Sequence, residues 1–516
     1  MAIITTLVHA LPTPSPTTAT LLLPAITLLI LALYRLHLHP LSHVPGPPLA
    51  ALTSLWLYWH SYRGTEARVI DALHGRYGAL VRIAPGEIDV SRGEALAAVY
   101  GGAKKGGGFR KAACYRNFDI EGHQSIFSAV DPAHRAPRAK AVVGLFSTRA
   151  IRGEGGRGEE VIRGVAERMC RRWKAEKRRS KAAAAAPAAA TAQRGEGAKV
   201  DVLNLARTLA LDAVSEYLFG RSYGGVEEGL KETGGDAAGG ELSASQFVNT
   251  FVAVGRFFYL PNWVFVAVEA LAMRFNVEKH DVESSIGTVV SFVTEIVEEA
   301  EKDERKDTYP GRLLEAGFTK DETSAQCLDL IFAGTDSTGM NLATACWWLA
   351  KKPEVYELLR EEILANSDAD PQTMPYLSAV IKETLRISMA NPTRLPRVVP
   401  SQGWNFESTF IPPGTIVGLS PFTLHFNPDV FPCPDEFLPE RWREPTPEML
   451  RDHIPFGLGS RACIARNLAT VELYLGLREV VRSGVLEGAT CVQDKIEILD
   501  WFNSRVVGEK IELEWV

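Results

Sequence analysis

The chain has 516 residues, of which 46% are hydrophobic and 23% charged. That is ordinary globular composition, which excludes a collagen-like, a fully disordered or a polytopic membrane protein. With 56 Lys and Arg against 62 Asp and Glu, the net charge is −6. Such a balance does not serve phosphate neutralisation, so nucleic acid is not expected as a partner. Seven cysteines (Cys114, Cys170, Cys327, Cys346, Cys433, Cys463, Cys491) form no C-x-x-C pair. An odd, scattered set argues against a disulfide framework or a thiolate zinc site and for a reducing compartment.

Residues 1–34 contain no Lys, Arg, Asp or Glu, and an apolar run extends from about Ala19 to Leu38. Twenty helical residues at ~1.5 Å each match the ~30 Å hydrocarbon core, so 1–39 reads as a single transmembrane anchor. A cleaved signal peptide fits less well, because no positive charge precedes the run and no small-x-small site follows it. Residues 40–48, with Pro40, Pro45, Pro47 and Pro48, read as a stiff hinge. Arg35 at the inner boundary favours a cytosolic body, residues 49–516.

Within the body, residues 152–198 mix charges at high density and then pass into an alanine tract broken by Pro187. They read as a surface insertion, as does the Gly- and Glu-rich stretch 220–240. The basic cluster Lys177–Lys181 reads as solvated charge. Most of the rest is helical in period. Extended pieces are expected near Leu80–Val90, Pro396–Val399, Thr415–Ser420 and Val506–Trp515, giving a mainly α protein with small sheets.

Thr319-Lys320-Asp321-Glu322 is a capping box. An apolar helix is expected from it through Ala350, with a stop at Pro353. Its centre, Ala333-Gly334-Thr335-Asp336-Ser337-Thr338-Gly339, places two glycines, an acid and three hydroxyls in a buried helix. Each is costly there, which marks the segment as functional rather than structural. Gly334 leaves room for a close approach, and Asp336 with Ser337 or Thr338 is placed to relay protons.

Near the C-terminus runs Phe456-Gly457-Leu458-Gly459-Ser460-Arg461-Ala462-Cys463-Ile464-Ala465-Arg466. A helix from Asn467 to about Val481 follows, so Cys463 sits where a glycine-rich loop enters a helix. N–H groups and the helix dipole there favour a thiolate. Gly457-x-Gly459-x-x-Ala462 formally matches a dinucleotide fingerprint, but Pro455 precedes it and no βαβ unit follows.

These residues together resemble the cytochrome P-450 family of haem-thiolate monooxygenases, in its microsomal form and with the phrasing of fungal secondary-metabolism members. The family's F-x-x-G-x-R-x-C-x-G matches at Phe456, Gly459, Arg461 and Cys463, with Ala465 at the final glycine. Its A/G-G-x-D/E-T-T/S matches at Ala333, Gly334, Asp336 and Thr338, with Ser337 for the first threonine. E-x-x-R matches at Glu383 and Arg386, and P-E-R-F/W at Pro439-Glu440-Arg441-Trp442.

The resemblance implies haem b with Cys463 as axial thiolate, Phe456 shielding the sulfur, and Gly334 and Gly459 bordering the cofactor. Arg461, Arg397 and the pair His134 and Arg138 would meet the haem propionates. Glu383, Arg386 and Arg441 would hold the fold without chemistry, while Asp336, Ser337 and Thr338 would manage protons at dioxygen. It further implies an endoplasmic reticulum membrane location and electrons from NADPH through a membrane-bound cytochrome reductase, with cytochrome b5 as a second donor. The pocket would be built from Phe118–Phe127, Phe247–Phe258 and Met389–Thr393, for a lipophilic substrate that is most simply hydroxylated. Epoxidation, desaturation or oxidative coupling would use the same motifs. A membrane-tethered scaffold without activity is opposed by the intact Cys463 and Asp336. No G-x-S-x-G or H-E-x-x-H supports a hydrolase.

Overall fold

The computed structural model describes residues 16–102, 108–153, 156–184, 199–231, 241–274, 280–302 and 306–515. Seven helices position the site: α1 (Pro16–Leu33), α2 (Pro132–Val142), α3 (Gly158–Ala184), α4 (Val202–Val214), α5 (Lys320–Lys351), α6 (Pro375–Ile387) and α7 (Arg466–Arg482). Helices α3 to α7 converge on one core that includes Trp173, Leu209, Met340, Trp347, Leu377, Leu385 and Leu473.

Helix α5 begins and ends where its sequence dictates. The Thr319 hydroxyl accepts from Glu322 N, and the Glu322 carboxylate accepts from Thr319 N, closing the capping box. The helix reaches Lys351, and Pro353 opens the next one, Pro353–Ala365. Almost every residue of α4 is buried, and it packs along α5. The approach is close at two glycines: a Cβ on Gly334 would lie 2.8 Å from Val214 Cγ2, and one on Gly339 2.7 Å from Arg207 Cγ. The room at Gly334, expected for a cofactor, is therefore taken by α4.

The main sheet has five strands: β1 (Leu80–Ala84), β2 (Glu87–Val90), β3 (Arg110–Lys111), β4 (Arg397–Val398) and β5 (Ile416–Gly418), in the order β1-β2-β5-β4-β3. Only β2 and β5 pair in parallel. The antiparallel register of β3 on β4 sets Lys111 opposite Arg397. Smaller pairs near the C-terminus, at Ile498–Leu499 with Arg505–Val506 and at Glu512–Trp515, complete the small-sheet picture.

Four expectations differ from what the described residues show. No helix among the described residues is long and apolar enough to cross a membrane. Helix α1 has 18 residues, or ~27 Å. Its first turn is spent on Pro16, Thr17 and Thr18, and at Tyr34 the apolar run passes into a π-turn, Tyr34–Leu38. The hinge is not a free spacer. Leu41 and Val44 are buried in the cluster with Ile88 and Val417, and Arg82 N donates to Pro45 O at 2.7 Å. The supposed insertion 152–198 contains a long helix, α3, that buries Ile162, Val165, Met169, Cys170 and Trp173 in the core. Its solvent face carries the charges that hid this stripe, and residues 185–198 lie outside the described residues. In 220–240, Gly225–Lys231 is a short helix with Val226 buried, and 232–240 lie outside the described residues.

Because α4 meets α5 at van der Waals range, Gly339→Ala must push Arg207 and its backbone aside. The expected cost is about 2–3 kcal/mol, as for other overpacked core sites. A thermal melt beside the parent protein measures it, and an unchanged midpoint would show that the two helices separate freely.

Candidate active site

The cysteine loop is built from turns. Gly457 N donates to Ile454 O at 2.9 Å, Ala462 N to Gly459 O at 3.0 Å, and Cys463 N to Phe456 O at 2.9 Å. Gly459 has φ +73°, and a Cβ there would fall 1.8 Å from Tyr100 O, so only glycine fits. Ala465, which stands for the expected glycine, has φ −89° and ψ 11°, a conformation open to any L-residue. Helix α7 follows directly at Arg466. Phe456 is half-buried against the core.

The Cys463 side chain is accessible yet enclosed by protein, so it opens on an interior space rather than on the surface. Burial raises the thiol pKa, against the opposing pull of the Ala465 N–H and the Arg466 charge. Ile464 and Ala465 pack against the apolar cluster that also holds Ile331 and Phe332 of α5.

Three consecutive polar residues of α5 point three ways, as the ~100° step of a helix requires. Asp336 is buried against α4, where Arg207 Nη2 donates to it at 2.6 Å and Arg207 Nη1 donates to Asn249 at 3.1 Å. Thr338 is buried towards α7 and hydrogen-bonds Glu472, whose carboxyl burial pushes up to about 8. Ser337, between them, is partly accessible, and its Oγ donates to Ala333 O at 2.9 Å. Ala333 is exposed although Phe332 before it and Thr335 after it are buried. The same face carries Asp329, four residues earlier, which Ser125 meets and which burial pushes up to about 6. Asp329, Ala333 and Ser337 thus form the inward face of α5.

Cations gather beside the cysteine loop. Arg461 donates to Ala129 O at 2.9 Å and Val130 O at 3.2 Å. Arg397 donates to Pro396 O at 3.0 Å and Tyr115 Oη at 3.3 Å. Desolvation, with the repulsion of Arg135 and Arg397, lowers the Arg461 pKa to about 10. Lys111 is buried in the same field. No carboxylate among the described residues lies within salt-bridge distance of Lys111, Arg397 or Arg461. Arg138 does not join them. It pairs with Glu322 at the start of α5 and lies 4.6 Å over the Phe318 ring. His134 is half-buried, its carbonyl accepting from Arg138 and its Nε2 unpartnered. Arg135 and Lys111 are the cations that sequence reasoning missed.

Behind the loop lies a buried ion network. Arg386 grips Glu383 with two bonds of 2.9 and 2.8 Å, and Arg441 Nε donates at 3.1 Å. Trp442 Nε1 and Leu438 N each add a bond of 2.9 Å. Burial works to raise the Glu383 pKa, but these donors hold it below the usual value. His425 links the network to the cysteine loop. Its Nδ1 donates to Arg386 O at 3.1 Å and its Nε2 accepts from Ile454 N at 3.0 Å.

A mainly helical fold, an inward cysteine at a glycine-rich turn, and cations lacking acids suit a protein that holds an anionic ligand beside a thiol. Comparison with known proteins gives the family. The sequence pattern of the cytochrome P450 family matches residues 45–494, and the chain belongs to that family. It is 37% identical to a cytochrome P450 monooxygenase of Annulohypoxylon moriforme, over 96% of this chain and 99% of the relative. It is 31% identical to the N-acetyltryptophan 6-hydroxylase of Emericella nidulans, covering 94% and 93%. It is 30% identical to the benzoate 4-monooxygenase of Aspergillus niger, covering 89% and 90%. The protein is a P450 monooxygenase, an oxidoreductase of a family that binds haem through a thiolate.

The residues fit haem: a sulfur open to the interior, a face of small residues on α5, and cations suited to two propionates. Glu383→Gln removes the charge that two buried guanidinium groups share. The expected loss is about 3–5 kcal/mol, as for other broken buried pairs. It is read as a lower melting temperature and a lower yield of haem-loaded protein. Parental values for both would show that the network does not support the loop.

Proposed function

We propose that the protein oxidises a lipophilic small molecule of fungal secondary metabolism by haem-thiolate chemistry, most simply as RH + O2 + NADPH + H+ → ROH + H2O + NADP+. The observation that carries this is Cys463, inward-facing at the head of α7 and flanked by uncompensated cations. Cys463 holds the iron, and Arg397, Arg461, Arg135 and Lys111 form the cationic side that suits the propionates. When bound, haem supplies the iron at which dioxygen is reduced and substrate oxidised. Phe456 limits water at the sulfur. Hydroxylation is favoured because two relatives bear the names of a 4-monooxygenase and a 6-hydroxylase.

The protein's own proton chemistry centres on Ser337. Its hydroxyl donates to Ala333 O and offers only lone pairs to the interior; rotated off that carbonyl, it can pass its proton on while accepting one from water. Asp336 is committed to Arg207, so it holds the helix and the field around Ser337 rather than touching the interior. Thr338, facing Glu472, is turned away.

Electrons come from NADPH through a separate reductase, or from cytochrome b5 for the second of them. Arg466, exposed at the start of α7, is placed to help steer an acidic partner. A membrane location is supported by the exposed apolar face of α1, including Leu23, Leu28 and Ile30. Leu55 and Trp59, on the helix that packs at Phe257, add to it, as does Trp263 just beyond at 76% exposure.

Two experiments test this reading. A reduced carbon-monoxide difference spectrum should show a strongly red-shifted Soret band that Cys463→Ala abolishes. Folded protein with no haem band would overturn the monooxygenase and leave a binding scaffold. Ser337→Ala should lower product formed per NADPH consumed by roughly tenfold, the worth of about one hydrogen bond at the barrier. Unchanged coupling would assign the proton path to water alone.

A further inference from the structure

The inward row of α5 does not end at Ser337. Asn341, one turn further on, continues the spacing of Asp329, Ala333 and Ser337. It is 8% exposed, so the row passes from the interior into packed protein there. Two side chains of this row bond back along the helix. Ser337 Oγ donates to Ala333 O at 2.9 Å, and Asn341 Nδ2 donates to Ser337 O at 2.7 Å. Each of those carbonyls is also the regular acceptor of the helical N–H one turn later, so one oxygen serves two donors. Back-bonds of this kind weaken and bend a helix at the carbonyl they take.

The partners of the Asn341 amide fix its orientation. Ser337 O only accepts, so the amide nitrogen must face it and the amide oxygen must face away. That oxygen meets the Ser388 hydroxyl, which must then donate. Ser388 is itself held. It is buried at the C-terminus of α6, and its N–H donates to Thr384 O at 2.9 Å. Met389 follows, buried and with φ +50°, a left-handed conformation that costs any residue with a side chain. Such strain persists only where the surroundings over-determine it. Here they do. Asn341 takes Ser388 on one side of Met389, and Ala390 O accepts from Ser504 N at 2.9 Å on the other. The donations run one way, from Ser388 through Asn341 to the Ser337 carbonyl.

Helix α6 also carries Glu383 and Arg386, so this pair ties the helix of the buried ion network to the turn that carries Ser337. We propose that Asn341, oriented by Ser388, is a positioning residue for Ser337: its hold on Ser337 O loosens α5 at that turn and lets the Ser337 hydroxyl leave Ala333 O for the interior. This rests on the reading of Ser337 as the proton-carrying hydroxyl.

The test uses the haem-loaded full chain, reduced, with carbon monoxide as the probe and its infrared stretching band as the readout. A hydroxyl that donates to the bound carbon monoxide lowers the frequency of this band, and Ser337→Ala gives the position without that donor. Asn341→Asp keeps the shape of the amide. Its neutral acid can donate to Ser337 O while accepting from Ser388, but its carboxylate cannot donate. Burial raises the pKa of such an acid, so the band of Asn341→Asp should lie near the parental one at about pH 6 and move at least halfway to that of Ser337→Ala at about pH 8. The parental band should stay in place over the same range. Ser388→Ala frees the amide to turn and should displace the band the same way at both pH values. In Ser337→Ala, adding Asn341→Asp should change nothing further. The proposal is overturned if Asn341→Asp keeps the parental band throughout, or if its pH dependence survives in the double variant. Should Asn341→Asp not fold, Ser388→Ala decides, and a parental band there is equally fatal. A band that Ser337→Ala itself leaves unmoved is a different failure, that of the Ser337 reading, and the proposal falls with it.

Discussion

One buried carboxylate, Glu383, organises the half of the molecule that presents the cysteine. It accepts from Arg386, Arg441, Trp442 and the Leu438 N–H. The donors that remain on the two guanidinium groups are spent on backbone carbonyls of a region with little regular structure. Arg386 serves His425, Pro434 and Glu436, and Arg441 serves Pro432 and Cys433. Carbonyls of such a segment would otherwise be buried without partners, at a cost comparable to the lost bonds. The carboxylate keeps the guanidinium groups in place, they hold the segment, and the His425 ring passes that order to Ile454 at the start of the cysteine loop.

The other half of the site depends on how closely two helices approach. Glycines at 334 and 339 let α4 reach α5, and the contact brings Arg207 to Asp336 within 2.6 Å. An acid in the middle of a buried helix is thereby neutralised by a partner on the neighbouring element. The next residue, Ser337, is turned inward by helix geometry alone. The Ser337 hydroxyl faces inward while the residues on either side of it are engaged elsewhere.

Features set by local chemistry were legible in the sequence. The capping box at Thr319, the proline stop at Pro353, the strands near Leu80–Val90 and Ile416–Gly418, and the spacing around Cys463 all act within a few residues. What was not legible depends on distant partners. Arg138 and Arg135 are near neighbours on α2, and the choice between them is made by Glu322, 184 residues away from Arg138. Lys111 has no local signal, and its neighbours are assembled by the pairing of β3 with β4. The room at Gly334 was visible, but Val214, which fills it, was not. Helix α3 was misread because its charged solvent face outweighed its apolar stripe. Asp329 was within reach, since it repeats the spacing of Ala333 and Ser337.

The restraints that reach segment 124–130 from other elements fall mainly on its backbone, on the carbonyls of Gln124, Phe127, Ala129 and Val130 and the amide of Ile126, while the Ser125 and Ser128 hydroxyls tie its turn from within. Its path is thus specified independently of most of the side chains it displays. A single exchange at Phe127 can reshape what the segment displays while the chain keeps its course. A duplicated gene with this architecture can drift towards a new substrate in small steps, each one still folding around the same unchanged chemistry.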